Sequence, residues 1–157
     1  ANTKMNPPLR THEDVAALHK ALKDGTIDCI ATDHAPHHRD EKAQDYNVAP
    51  FGIVGLETAL PLMMTELVHT DIISLTHLIK LMSTNPARIL GLECGEIIPQ
   101  GLADLTLIDL DTTRPVDSSS FYSLGQNTPF NGRPLKGWPT MTMVNGKIVM
   151  KDGVVHA

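Results

Sequence analysis

An aspartate followed by closely spaced histidines is the part of this sequence best suited to chemistry. Asp33 comes directly after Ile27–Thr32, an apolar and β-branched run, and His34, His37 and His38 follow it. A carboxylate can bind a metal ion through one oxygen and exchange a proton through the other. In barrels of parallel strands, active sites lie at this end of the strands. Asp33 is therefore a candidate metal ligand and general base, with an ordinary turn residue as the alternative.

The three neighbouring histidines do not have the spacing of a compact metal site in a loop. His34, His37 and His38 stand at i, i+3 and i+4, which brings imidazoles together only on a helix. Pro36 lies between them and disfavours a helix there. We therefore expect one imidazole to face a substrate carboxylate, and we do not expect the three to bind one metal ion.

The elements around Asp33 are predicted from capping residues and apolar periodicity. A helix begins after Thr11, with Asp14 as its capping partner, and ends at Gly25. The run Ile27–Thr32 is typical of a buried strand, and a helix followed by a buried strand suggests a parallel sheet. Residues 33–55 form a long polar loop. Loops of this length inside compact domains are usually functional or disordered.

Three further helices are predicted after this loop. The apolar positions of Leu56–Leu67 indicate a helix that Pro61 either kinks or starts late. Ser74 caps the second helix. Asn85–Pro86 reads as the cap and first residue of a short third helix that ends at Gly91. Together with the predicted strand, these helices indicate an α/β unit.

The pattern changes in the last part of the chain. Residues 103–109 alternate in the manner of a strand, and residues 141–150 predict a hairpin around Asn145-Gly146, a dipeptide that fits a type I′ turn. We therefore predict two parts, an α/β part over residues 1–95 and a small antiparallel β part over residues 96–157.

Bulk properties exclude several classes of protein. The chain has 157 residues and a formal net charge of -5, which argues against a nucleic-acid-binding surface. No apolar run is long enough to cross a bilayer, and the first residues do not have the pattern of a signal peptide. Cys29 and Cys94 stand in apolar contexts and are expected to be free buried thiols in a reducing compartment. The sequence therefore predicts a cytoplasmic protein with neither a nucleic-acid nor a membrane partner.

Seven short motifs stand in order along the chain: Lys4–Arg10, Ala31–His37, Ala49–Ile53, Gly55–Thr58, Ser83–Ala87, Gly101–Leu105 and Asn127–Phe130. Together they resemble bacterial type I dihydroorotases of the amidohydrolase superfamily, over nearly the whole chain. Hydantoinases and allantoinases share the aspartate. The Asp-His-Ala-Pro-His and Asn-Pro-Pro-Leu-Arg segments are those of dihydroorotases.

This resemblance implies a fold and a set of site residues. The fold is the C-terminal part of a TIM-like (β/α)₈ barrel plus the C-terminal strands of a small β-sandwich, with barrel strand seven before Asn6 and strand eight at Ile27–Thr32. Asp33 matches the metal ligand and general base. Asn6 and His37 match substrate-contacting residues, His37 at the α-carboxylate. Phe51 and Gly52 match a substrate-contacting pair that acts mainly through its backbone.

The implied reaction is the reversible interconversion of N-carbamoyl-L-aspartate and dihydroorotate in pyrimidine biosynthesis, with one or two Zn²⁺ ions. The family's His-x-His pair does not occur in these residues, and a whole barrel needs about 250 residues. The chain is therefore expected to be a fragment that is inactive alone and that needs the N-terminal part of the same enzyme. A homodimer or a complex with aspartate transcarbamoylase is a further expected assembly.

Two alternatives remain open. One is a catalytically inactive dihydroorotase-like subunit that scaffolds an aspartate transcarbamoylase, although the presence of Asp33 and His37 argues against it. The other is a related cyclic amidase that acts on hydantoins or allantoin.

Overall fold

The computed structural model describes residues 1–156 and contains short helices packed beside one antiparallel sheet. The helices are α1 (His12–Asp24), α2 (Arg39–Lys42), α3 (Ala59–Met63), α4 (Leu75–Ile79) and α5 (Asn85–Leu90), with π-helical turns at Met64–Val68 and Lys80–Thr84 and a 3₁₀ turn at Ser118–Ser120. The strands are β1 (Leu105–Pro115), β2 (Pro134–Val144), β3 (Lys147–Lys151) and β4 (Val154–Val155), in the order β1-β2-β3-β4.

Helix α1 has the ends that its sequence predicts. The Thr11 hydroxyl accepts a hydrogen bond from Asp14 N at 3.4 Å, and the Asp14 carboxylate accepts one from Thr11 N at 3.0 Å. This reciprocal pair is a capping box, which satisfies amides that the first turn leaves free. Gly25 ends the helix with a φ of 80°, a conformation that glycine adopts without steric cost.

The later helices differ in one respect from the prediction. Helix α3 begins at Ala59, so Pro61 lies in its first turn, as a late start requires. The helix after Ser74 does not stop before Asn85: helical backbone continues from α4 through a π-helical turn into α5. Pro86 has no N–H to donate, and the turn widens so that Asn85 N bonds to Lys80 O. The predicted short helix is present as α5 and ends at Gly91, but Asn85 is its first residue, continuous with the preceding turn, and not a cap.

The buried core lies between α1 and the later helices. Its members are apolar side chains that are each less than a tenth exposed, namely Leu22, Met64, Leu67, Ile73, Leu78 and Leu81. Strand β2 joins this core where Gly137 passes Met64. A Cβ added to Gly137 would lie 2.6 Å from the Met64 Cβ, so only glycine allows this approach.

The sheet confirms the predicted hairpin and extends beyond it. Asn145 and Gly146 have φ values of 49° and 76° and join β2 to β3, in agreement with a type I′ turn. Strands β1 and β2 reach into residues 112–139, which look like a loop in sequence alone. Residues 116–133 connect them, and Val116 N donates to Arg133 O at 2.9 Å. This bond closes the connection at its base.

The parallel barrel strands that the resemblance implies are not formed within residues 1–156. Ile27–Thr32 is extended but pairs with no strand; its main tertiary bond runs from Ile30 N to Leu81 O at 2.9 Å. The residues before Asn6 form a turn in which Lys4 N donates to Ala1 O. A parallel strand is defined by its neighbours, and the described residues supply none.

Two thiols are exposed, and for one of them the missing strand neighbour explains the exposure. Cys29 and Cys94 are exposed free thiols, so the prediction that both are buried is wrong for the described structure. Cys29 lies on the unpaired segment, where no neighbouring strand covers it.

No helix in the described part of the chain combines the length and the apolar character needed to cross a membrane.

Candidate active site around Asp33 and His37

Asp33 lies where the extended segment turns into the long loop. Its φ is 46°, in the left-handed region that aspartate tolerates better than most residues. The residue is exposed, and its carboxylate accepts no hydrogen bond from another side chain or amide within residues 1–156. The carboxylate is therefore free to act as a ligand or as a base.

The neighbouring imidazole of His34 is held inside the fold. Its Nδ1 accepts hydrogen bonds from Gly55 N at 3.1 Å and Leu56 N at 3.4 Å, and its Nε2 lies 3.5 Å from the Ser123 hydroxyl. This pattern places the proton of neutral His34 on Nε2. His34 therefore fixes the loop against the start of the next helical region.

The carboxylate of Glu57 shares the partner Ser123 with this imidazole. Glu57 accepts a hydrogen bond from Ser123 N at 2.8 Å, while its second oxygen is buried without a partner among the described residues. Burial raises the pKa of Glu57, but the hydrogen bonds from Ser123 outweigh it, so the pKa is lowered. Glu57 is therefore an anion next to Ser123, whose hydroxyl lies 3.5 Å from His34 Nε2.

His37 is tied at both its backbone and its ring. Its N–H donates to the Asn127 side-chain oxygen at 3.1 Å, and its Nε2 lies 2.8 Å from the Phe51 carbonyl oxygen, which can only accept. The other ring nitrogen, Nδ1, lies 3.6 Å from the Glu41 carboxylate. The Nε2 proton is thus committed, and Nδ1 is the ring atom left to meet another group.

The third histidine serves α2. The Nδ1 of His38 accepts a hydrogen bond from Asp40 N at 3.3 Å and caps that helix. His34, His37 and His38 therefore point to three different partners.

Phe51 and Gly52 meet His37 through the backbone. Gly52 has a φ of 114°, and a Cβ added there would lie 2.5 Å from the Ala35 Cβ, so no other residue fits without a shift. Its N–H donates to Lys4 O at 2.9 Å. The Phe51 ring is more than half exposed and covers the Lys4 ammonium, which lies 4.6 Å from the ring centre. The structure thus brings together His37, Phe51 and Gly52.

Asn6 is separated from that group. It is exposed, two positions after buried Lys4, and its side chain makes no hydrogen bond within the described residues. Asp33 likewise has no direct contact with His37 in the hydrogen-bond pattern. Asn6 precedes α1 and Asp33 begins the long loop, so the chain supplies these two residues from different segments.

Residues that the sequence did not identify organise this loop. Asn127, Lys42 and Lys4 are all buried, with exposures of 4%, 5% and 7%. They donate to main-chain carbonyls of the loop, as Lys4 does to Asn47 O at 3.1 Å. Asn127 belongs to the Asn-Thr-Pro-Phe motif, but no local pattern shows that its partner His37 lies 90 positions away.

A cleft of about 720 Å³ opens beside His37. His37, Lys42, Asn127, Arg39 and Gln126 contribute to its lining. Basic and amide groups therefore face this space, which suits an anionic small molecule.

Metal binding depends on the number of donors that converge. Within residues 1–156, no three His, Cys, Asp or Glu side chains come together. A catalytic zinc ion normally has three protein ligands and one open position. The free carboxylate of Asp33 fits one of those three positions.

The chain matches known proteins over nearly its full length. The family model described as "Amidohydrolase family" matches residues 5–149. A dihydroorotase of Geobacillus sp. (strain WCH70) is 55% identical over 153 residues, which are 98% of this chain and 36% of that protein. A dihydroorotase of Pelotomaculum thermopropionicum is 53% identical, over 99% of this chain and 36% of that protein. The chain thus spans about a third of the length of these relatives.

Solved structures of hydantoinases superpose on nearly the whole chain. The L-hydantoinase (dihydropyrimidinase) from Arthrobacter aurescens superposes with a TM-score of 0.93 at 37% identity, over 98% of this chain and 35% of that protein. The D-hydantoinase (dihydropyrimidinase) from Thermus sp. superposes with a TM-score of 0.90 at 27% identity, over 99% of this chain and 35% of that protein. These similarities imply a TIM-barrel-type fold for the complete molecule, and the chain belongs to the amidohydrolase family.

Proposed function

We propose that this chain is the C-terminal part of a zinc-dependent dihydroorotase, which interconverts N-carbamoyl-L-aspartate and dihydroorotate in pyrimidine biosynthesis. The observation that carries the proposal is the identity of 55% to a dihydroorotase over 98% of the chain, with the unpaired carboxylate of Asp33 inside the matched region. The remaining metal ligands come from the part of the protein outside these residues.

Asp33 acts as the base and then as the acid. Zn²⁺, when bound, polarises the amide carbonyl and activates a water molecule. Asp33 accepts the proton of the attacking water and returns it to the leaving ring nitrogen, so that one C–N bond breaks as one C–O bond forms. In the biosynthetic direction the same carboxylate removes a proton from the attacking carbamoyl nitrogen. Its exposure and lack of internal partners support this role.

The substrate carboxylate is bound on the His37 side of the loop. Since Nε2 donates to Phe51 O, His37 meets the substrate carboxylate as an imidazolium that donates through Nδ1–H, the ring atom 3.6 Å from Glu41. Asn6 supplies a second donor from the exposed turn before α1. The pair Phe51–Gly52 sets one wall of the substrate site through its fixed backbone, and the basic lining of the adjacent cleft favours the anion.

A hydantoinase is the second candidate, because the L-hydantoinase structure superposes with a TM-score of 0.93. The two functions differ in the substrate carboxylate, which hydantoin does not have. Assays of the complete protein with dihydroorotate, hydantoin and allantoin test the choice. We expect turnover of dihydroorotate that is lost on removal of zinc. Turnover of hydantoin or allantoin alone would reject the proposal, and no turnover of any substrate would favour the inactive scaffold subunit.

A further inference from the structure

The side chain and the main-chain oxygen of Asn127 together make four hydrogen bonds to the loop around His37. Its side-chain oxygen accepts from His37 N at 3.1 Å, and its amide nitrogen donates to Ala35 O at 3.0 Å and Gly52 O at 3.2 Å. Its main-chain oxygen accepts from Val54 N at 3.1 Å. The residue is only 4% exposed, so these bonds do not compete with bulk water.

The side chain bridges two stretches of the loop, which also meet through Ala35 N and Ile53 O at 2.9 Å and through His37 Nε2 and Phe51 O at 2.8 Å. Ala35 and His37 belong to the stretch after Asp33, and Gly52 belongs to the stretch that bears Phe51. A primary amide offers one acceptor and two donors at a single point. An aspartate would place its second oxygen against two carbonyl oxygens, so it cannot replace this pattern.

Two further residues, Lys42 and Gly125, pack against the group of atoms that Asn127 holds together. Lys42 donates to Pro50 O at 2.9 Å and also to Gly52 O at 3.0 Å. The Gly52 carbonyl oxygen therefore accepts hydrogen bonds from both Lys42 and Asn127. Burial, together with nearby Lys4, lowers the pKa of Lys42. A Cβ added at Gly125 would lie 2.7 Å from the Asn127 side-chain oxygen, so a larger residue at position 125 would displace that oxygen.

We propose that Asn127, assisted by Lys42, is the positioning residue that sets His37 and the Phe51–Gly52 pair at a fixed separation for substrate binding. This inference rests on the proposed function, because the residues that Asn127 positions are those proposed to bind the substrate. Neither residue touches the reacting atoms. Each acts by fixing where the His37 ring nitrogens and the Phe51 carbonyl stand.

The test compares two Asn→Asp variants of the complete protein. Asn127→Asp removes both amide donors from the loop. Asn85→Asp is the matched control, because Asn85 also donates its side-chain amide to a distant carbonyl, Asp28 O at 2.8 Å, but contacts neither His37 nor Gly52. The readouts are KM and kcat for dihydroorotate, zinc content, and hydrogen exchange at the amides of His37 and Val54.

We expect Asn127→Asp to raise KM by about 10-fold or more, since one charge-assisted contact to a carboxylate is enough for that change. Zinc content stays at the wild-type level, kcat changes less than KM, and exchange at His37 and Val54 becomes faster. Asn85→Asp can lower the melting temperature, but its KM and the exchange at His37 remain those of the wild type.

A wild-type KM with slow exchange at His37 in Asn127→Asp would overturn the inference. An equal rise of KM in both variants would also overturn it, because that result marks general loss of stability. If Asn127→Asp does not fold, Lys42→Met replaces it, and a wild-type KM together with slow His37 exchange then counts against the proposal. If the wild-type protein does not hydrolyse dihydroorotate, the proposed function fails, and the exchange comparison alone decides whether the loop is held as inferred.

Discussion

At the scale of single residues, neighbouring positions of the loop differ in whether their side chains are free or hydrogen-bonded. Asp33 is exposed and unpaired within the described residues, whereas His34, one position later, is held by the amides of Gly55 and Leu56. His37 is held by Phe51 and Asn127. Residue types and spacing identify Asp33 as a candidate because its signal is local. The partners of the histidines lie up to 90 positions away, and no local pattern reveals them.

Asp33→Asn in the complete protein tests the proposed base. Asparagine tolerates the same positive φ, so the fold is expected to remain, while the loss of the proton carrier lowers turnover in both directions by at least ~10²–10⁴-fold. Steady-state rates with dihydroorotate and with carbamoyl aspartate measure the effect. Asp71→Asn is the control, because Asp71 is also exposed and has a φ of 57°. Near-normal turnover by Asp33→Asn would reject the assignment.

His37→Ala tests a binding role against a metal-binding role. A charge-assisted hydrogen bond to a carboxylate contributes roughly 1.5–3 kcal/mol. Its loss is expected to raise KM by the factor that corresponds to this free energy, while zinc stays bound. Kinetics together with metal analysis give both quantities. His12→Ala is the control, because His12 is exposed at the start of α1 and does not line the cleft beside His37. Loss of zinc from His37→Ala would show that His37 is a ligand.

At the scale of elements, predictions succeed where the determining contacts are local. Helix α1 carries its own cap and stop signal, and the β2–β3 hairpin carries its own turn residues, so both are recognised from sequence. The continuous helix through Asn85 depends on a π-helical turn that no residue pattern marks. Ile27–Thr32 has the composition of a strand, but a strand also requires a partner, which these residues do not contain.

Gly52→Ala tests the close approach of the two loop stretches. The positive φ alone costs about 1–2 kcal/mol for an L residue, and overpacking against Ala35 adds typically ~1–3 kcal/mol. Gly153→Ala is the matched control, since Gly153 has a φ of 82° but open space around an added Cβ. Chemical denaturation of the two variants of the complete protein compares them. Equal losses of unfolding free energy would contradict the proposed steric contact.

At the scale of the whole molecule, we propose that the chain supplies only part of the metal site. It spans 36% of the length of a dihydroorotase that is 55% identical to it, and the described residues bring no three metal-binding side chains together. The division into a barrel part over residues 1–95 and a sandwich part over residues 96–157 stays a prediction. Sequence motifs identify the family because many short segments agree in order, even where single elements depend on absent neighbours.

The most direct test of this division of the site is zinc titration of residues 1–157 beside the complete protein, followed by a dihydroorotate assay of both. Because Asp33 supplies one of the three ligands that catalytic zinc normally needs, we predict that the complete protein binds zinc tightly and turns over dihydroorotate. We predict that residues 1–157 alone do neither. Tight one-to-one zinc binding with measurable dihydroorotate hydrolysis by residues 1–157 would contradict the claim that the remaining ligands come from elsewhere in the protein.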